Sequence, residues 1–172
     1  MAFHELINTR QSVRKYSSKP VEKDKLQRCL EAARMAPSAS NSQPWHFIVV
    51  QEEPLRTEVA KATFSGAVKF NKFTMQAPVL VVMLLEKPRM LNRIAMILKK
   101  KEWKLIDIGI AAEHFCLQAA EEGLGTCMMG WYNEKELKKA LNIPGDKTVG
   151  LVISLGYAEE GYTLRKKIRK PM

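Results

Sequence analysis

Cysteine is scarce in this chain: Cys29, Cys116 and Cys127 are the only three in 172 residues, odd in number and far apart. No Cys-x-x-Cys pair and no Cys/His spacing suited to zinc occurs, which excludes a disulfide framework and a structural zinc site. Cys29 and Cys116 fall inside apolar helical patterns and read as buried, reduced thiols, and Cys127 reads as core packing at a place a ligand can approach. Long hydrophobic runs are also missing. The longest, Val79 to Leu85, is strand-sized, so no segment is long enough to cross a bilayer and no membrane partner is expected. Met1-Ala2-Phe3-His4-Glu5 has neither a charged leader nor an apolar core of signal-peptide type, and a cytoplasmic protein is the expectation. Histidine is rare too: His4, His46 and His114 have no evident triad partner, so no protein nucleophile or acid–base pair is indicated. His114 lies on an apolar helix stripe and reads as a satisfied core residue. No repeat and no linker interrupts the pattern, and residues 1–172 read as a single domain.

What is present in excess is positive charge, +10 formally. It is spread over Arg10–Lys25, Lys87–Lys104, Lys135–Lys147 and Arg165–Lys170, without the aromatic–basic interleaving that stacks bases. No nucleic-acid partner is expected. A phosphate-bearing cofactor and an anionic nucleotide account for part of the bias, and solvated surface for the rest.

Hydrophobic periodicity divides the chain into alternating helices and strands. His4–Thr9 is a short helix. Val21 to about Met35 is a helix with Leu26, Cys29, Leu30 and Ala33 on one face. His46–Gln51 is a strand, and Pro54 opens a helix with Leu55, Val59 and Ala62 as its stripe. Residues 64–76 suggest short helical turns. Val79–Leu85, apolar on both faces, is a central strand. Lys87–Lys101 is helical in composition. Trp103–Glu122 is the clearest helix, with a stripe of Ile106, Ile110, Ala111, His114, Leu117 and Ala120 and with Gly123 as its stop. Gly125–Met129 is a strand, Asn133 caps a helix to about Leu141, and Val149–Leu155 is the last strand. These elements make a domain of mixed α and β type.

Between the second helix and the first strand lies Ala36-Pro37-Ser38-Ala39-Ser40-Asn41-Ser42-Gln43-Pro44-Trp45. Its two prolines end the helix, and its small polar residues expose N–H groups, hydroxyls and amides at a strand entrance. That surface suits a planar ligand with a polar edge. Such a cluster alone is most often an ordinary loop. The balance shifts with Arg10-Gln11-Ser12-Val13-Arg14 upstream and Lys167-Ile168-Arg169 at the far end.

Taken in order, RQSVR, PSASNSQPW and KIRKP, with GLGTCMMGW (123–131) and Leu155-Gly156-Tyr157 between them, resemble the nitroreductase-like family of FMN-dependent oxidoreductases. The resemblance spans nearly the whole chain. It implies an α+β fold with a central, mostly antiparallel sheet flanked by helices, a homodimer joined through long helices, FMN as cofactor and NADH or NADPH as electron donor. It places Arg10, Ser12, Lys167 and Arg169 at the FMN phosphate, with Gln11 beside them. It places Arg14 at the edge of the flavin ring that gains negative charge on reduction, and Asn41 and Gln43 at its amide edge. Pro37, Ser38, Ala39 and Ser40 would line the ring, commonly from the partner subunit, and Met129 and Gly130 would lie near its reactive nitrogen. Trp45 reads as packing. The stretch 87–103 is shorter than in larger members, where it forms the flap that shapes the substrate pocket. The expected activity is reduction of nitroaromatics, quinones or similar small electrophiles by a ping-pong mechanism. Dehalogenation, flavin cleavage, azoline oxidation and non-catalytic flavin binding are the alternatives.

Overall fold

The computed structural model describes residues 1–64, 69–86 and 103–171. Four strands form one antiparallel sheet: β1 (Trp45–Val50), β2 (Val79–Leu85), β3 (Gly125–Met129) and β4 (Thr148–Gly156), in the order β1-β2-β4-β3. Among the described residues five helices cover it: α1 (Phe3–Thr9), α2 (Lys23–Arg34), α3 (Leu55–Ala62), α4 (Trp103–Glu121) and α5 (Glu134–Ala140). Short 3-10 turns occupy Ala39–Asn41 and Lys72–Gln76.

β2 explains the layering. Every residue in it is buried, because both faces of the sheet are covered. Val79, Val81, Met83 and Leu85 pack with Ile153 and Leu155 against α2 and α4. Leu80, Val82 and Leu84 alternate to the other face, where Val149, Val152, Val59 and Leu137 surround them under α3 and α5. Strand periodicity therefore sends one apolar run into two cores. Trp45, 9% exposed, closes the first of these as packing.

The ends of the elements follow local chemistry. Asn133 accepts the Glu136 N–H at 3.3 Å and caps α5. Gly123, at φ 75°, ends α4, with the Leu124 and Gly123 N–H groups returning to Ala119 and Ala120. One expectation needs correction. Of the stripe Ile106, Ile110, Ala111, His114, Leu117 and Ala120, α4 buries only Ala111 fully, and Ile110, His114, Leu117 and Ala120 are partly buried. It buries Asp107, Ile108, Ala111, Ala112, Phe115, Cys116 and Ala119, and leaves Ile106 51% exposed. The helix carries apolar residues on every side, so periodicity alone does not choose the face. His114 is half-buried, with its ring Nδ1 3.3 Å from the Ala32 carbonyl. The helical reading of Lys87–Lys101 and the short 87–103 stretch lie outside the described residues, apart from Trp103, which opens α4.

After α1 the chain runs along the open edge of β3. Ser12 bridges Thr126 in parallel, the Val13 N–H donates to the Thr126 carbonyl at 2.8 Å, and Tyr16 bridges Ala158. This approach requires a glycine opposite Val13: a Cβ on Gly125 would stand 2.5 Å from Val13 Cγ2 and 2.7 Å from its Cβ. Gly125→Ala is therefore expected to cost about 1–3 kcal/mol through overpacking. Urea unfolding measures it, and a change below about 0.5 kcal/mol, the ordinary surface range, would show that the 10–14 segment yields freely.

Candidate functional site

Edge pairing with β3 fixes the backbone of residues 10–14, and the C-terminal segment then locks onto it. Lys167 Nζ donates to the Arg10 carbonyl, and Arg165 Nη2 and the Tyr162 hydroxyl donate to the Ser12 carbonyl. The Gln11 side chain accepts from the Arg165 backbone N–H at 3.2 Å and donates to the Thr163 carbonyl at 3.3 Å. Gln11 thus holds the two segments together. Arg10, Gln11, Ser12, Arg165, Lys166, Lys167, Ile168 and Arg169 surround a cavity of about 290 Å³.

That cavity concentrates positive charge. Arg10 donates through Nε to Glu113 Oε1 at 3.1 Å. Lys167 is held below the ordinary lysine range, first by burial and then by the neighbouring Arg10 and Arg169, with Glu113 opposing. Crowded cations are stabilised by a multivalent anion, and the guanidinium forks of Arg10 and Arg169 with the Lys167 ammonium suit a phosphate dianion.

The same 10–14 segment also reaches, at Arg14, a second cavity of about 430 Å³, lined by Arg14, Phe70, Asn71, Cys127, Met128, Met129, Gly130 and Trp131. Ser12 and Arg14 both reach the Cys127 thiol and partly offset the burial that raises its pKa. Met129 is 4% exposed and packs into the core beneath α3 and α5. A Cβ on Gly130 would meet no atom within 4 Å, so this stretch of backbone is open on the cavity side. Phe70 and Trp131, 63% and 55% exposed with ring centroids 6.1 Å apart, stand at the rim as a flat apolar surface. Buried Asn71 joins their segments by donating to the Trp131 and Thr63 carbonyls, each at 3.1 Å.

The sequence-predicted residues fall into two groups. Arg10, Gln11, Ser12, Arg14, Met129, Gly130, Lys167 and Arg169 come together at the β3 edge. Pro37, Ser38, Ala39, Ser40, Asn41 and Gln43 do not join them in one copy of the chain. Their loop precedes β1, at the opposite edge of the sheet, three strand spacings or about 14 Å away. No loop residue lines either cavity. The loop is also held in a costly shape: Ser40, Asn41 and Gln43 have φ of 52°, 50° and 45°. Each left-handed non-glycine residue costs roughly 1–2 kcal/mol. Ser38 Oγ accepts the Gln43 N–H at 2.9 Å, and Gln43 Nε2 donates to Asn41 Oδ1 at 2.9 Å. Sequence reasoning missed Asn71 and Phe70, which no pattern marks, and Arg165, which lay unresolved within the basic run it had noted.

The motif profile described as the nitroreductase family matches residues 7–157. The chain belongs to the nitroreductase family. A nitroreductase family protein of Clostridium novyi NT has the same fold, with a TM-score of 0.79 and 31% identity, over 93% of this chain and 87% of its own. A structure named FMN-dependent nitroreductase, from Clostridium difficile R20291, is 29% identical with a TM-score of 0.76, over 94% of this chain and 90% of its own. A protein of Archaeoglobus fulgidus, provisionally named NADH dehydrogenase/NAD(P)H nitroreductase, is 32% identical over 90% of this chain and 84% of its own. As a family member this chain shares the helix-flanked antiparallel sheet of those structures. Among its described residues no helix is long and apolar enough to cross a membrane.

Proposed function

We propose that this protein is an FMN-dependent oxidoreductase of the cytoplasm, drawing electrons from NADH or NADPH and passing them to nitroaromatics, quinones or similar small electrophiles. The observation that carries this is the cation cluster of Arg10, Lys167 and Arg169, which meets the Arg14 and Gly130 cavity through one short segment. A mononucleotide has that shape: a dianionic phosphate at one end and a flat, polar-edged ring at the other. The depressed Lys167 and the open Cβ side of Gly130 both fit it. The names carried by the Clostridium difficile and Archaeoglobus fulgidus relatives support the same reading.

When bound, FMN supplies two-electron chemistry at one ring nitrogen, alternately accepting from the nicotinamide and donating to the oxidant. Arg10, Lys167 and Arg169 bind the phosphate, with the Ser12 hydroxyl beside them. Arg14 sets a fixed positive charge in the ring cavity, favouring the more negative redox form. The Gly130 backbone leaves room for the ring. Phe70 and Trp131 offer a face on which a flat donor or oxidant rests. No protein acid is required, and solvent water supplies protons.

The protein acts as a homodimer whose sites combine the β3 edge of one copy with the 37–43 loop of the other. The separation of the two groups within one chain supports this. So does apolar surface left open on α4 and α1, where Leu105, Ile106 and Phe3 are 52%, 51% and 69% exposed. Light scattering of the FMN-loaded protein should give twice the 19.6 kDa chain mass; a stable loaded monomer overturns the shared site. Steady-state rates with NADPH and a nitroaromatic or quinone should give parallel double-reciprocal lines. Intersecting lines exclude ping-pong turnover, and turnover with a halogenated phenol alone favours the dehalogenase alternative.

A further inference from the structure

Asp107 is a charged residue buried to 3% exposure in the first half of α4. Its Oδ1 accepts the Ala39 backbone N–H at 3.1 Å, and its Oδ2 lies 3.5 Å from the Ser42 hydroxyl that donates to it. These two partners flank Ser40 and Asn41, both at left-handed φ. One carboxylate therefore grips the loop on either side of its strained pair. The grip is rigid at its base, since α4 packs Ile108, Ala111, Ala112 and Phe115 into the core at 3% exposure or less. The adjacent Leu105 and Ile106 are exposed. A single stretch of α4 thus carries both open apolar surface and the carboxylate that shapes the loop.

We propose that Asp107 is a positioning residue acting in trans: in each copy it fixes the 37–43 loop in the shape that completes the FMN site of the other copy. This rests on the two-copy reading above. A merely stabilising buried carboxylate would affect unfolding without regard to which copy carries the phosphate-binding arginine. A positioning carboxylate acts only on the site its loop enters, and that difference is measurable.

The probe is FMN itself, read by quenching of its fluorescence on titration into the apoprotein. Asp107→Ala is expected to weaken FMN binding about tenfold or more, because the loop loses the acceptor that holds it. Asp107→Asn keeps a carbonyl oxygen for the Ala39 N–H and should stay within about threefold of the native protein. Where circular dichroism shows that the alanine variant does not fold, Asp107→Leu, which keeps the volume and removes the acceptor, takes its place with the same outcomes required. The decisive measurement uses mixed dimers, isolated through two different affinity tags, of one Asp107→Ala chain and one Arg10→Ala chain. Action in trans leaves one site intact, with Arg10 from the first chain and a correctly held loop from the second, so about one tight FMN per two chains is expected. Mixed dimers with no tight site overturn the proposal, as does an Asp107→Ala homodimer that binds FMN like the native protein. A native protein that is monomeric or binds no FMN overturns the underlying reading before any variant is made, and this proposal with it.

Discussion

Replacing Arg10 with alanine is expected to weaken FMN binding by about tenfold to a hundredfold, the loss of one charge-assisted contact worth roughly 1.5–3 kcal/mol. Arg10 is placed for the role by three constraints. The end of α1 delivers it, the pairing of Ser12 and Val13 with Thr126 fixes its backbone, and Glu113 orients its guanidinium through Nε at 3.1 Å. Nε is one of three guanidinium nitrogens, so the terminal fork remains to face the cavity. Arg10 is one of the charges that hold Lys167 below the ordinary lysine range, so the two side chains are coupled. The double variant Arg10→Ala/Lys167→Ala should therefore depart from the sum of the single losses, a coupling a double-mutant cycle resolves. Unchanged FMN affinity in Arg10→Ala removes the phosphate from this cavity.

Arg14→Gln should act on the potential of the bound flavin more than on its affinity. Arg14 lines the 430 Å³ cavity with Gly130, not the phosphate cavity. Glutamine keeps a donor and deletes the charge, so only the more negative redox form loses a partner and the two-electron potential falls. For a two-electron couple, 30 mV is about 1.4 kcal/mol. One to two such steps are expected, roughly 30–60 mV, with slower electron uptake from NAD(P)H. Spectroelectrochemical titration of both proteins at one pH measures it. An unmoved potential makes Arg14 a surface charge and leaves the tuning to another group, such as the backbone at Gly130.

Much of the fold was legible because local signals agreed with tertiary demands. Val79–Leu85 is apolar at every position, and it lies between β1 and β4 with both faces covered. Pro54 before α3, Asn133 before α5 and Gly123 after α4 mark ends through caps that depend only on neighbouring residues. The face of α4 was not legible, because Leu105, Ile106, Ile108 and Ile110 offer apolar side chains in several directions and the sheet selects among them. In the candidate site, the basic residues at the two ends of the chain were visible as types. Their meeting beside the β3 edge depends on long-range hydrogen bonds that no spacing encodes. Asn71 lies in a stretch without periodicity, and Asp107 reads as one polar residue inside a helix. Both gain their meaning only from the carbonyls and N–H groups that folding brings to them.

The central claim is that the two cavities at the β3 edge hold one FMN that the nicotinamide reduces. The most direct measurement is an anaerobic titration of the FMN-loaded protein with NADH and, separately, NADPH, followed by flavin absorbance. Stoichiometric bleaching by at least one of them, with colour restored by a nitroaromatic or quinone, is the result expected. A protein that takes up no FMN, or whose bound FMN keeps its full absorbance with both donors, contradicts the account.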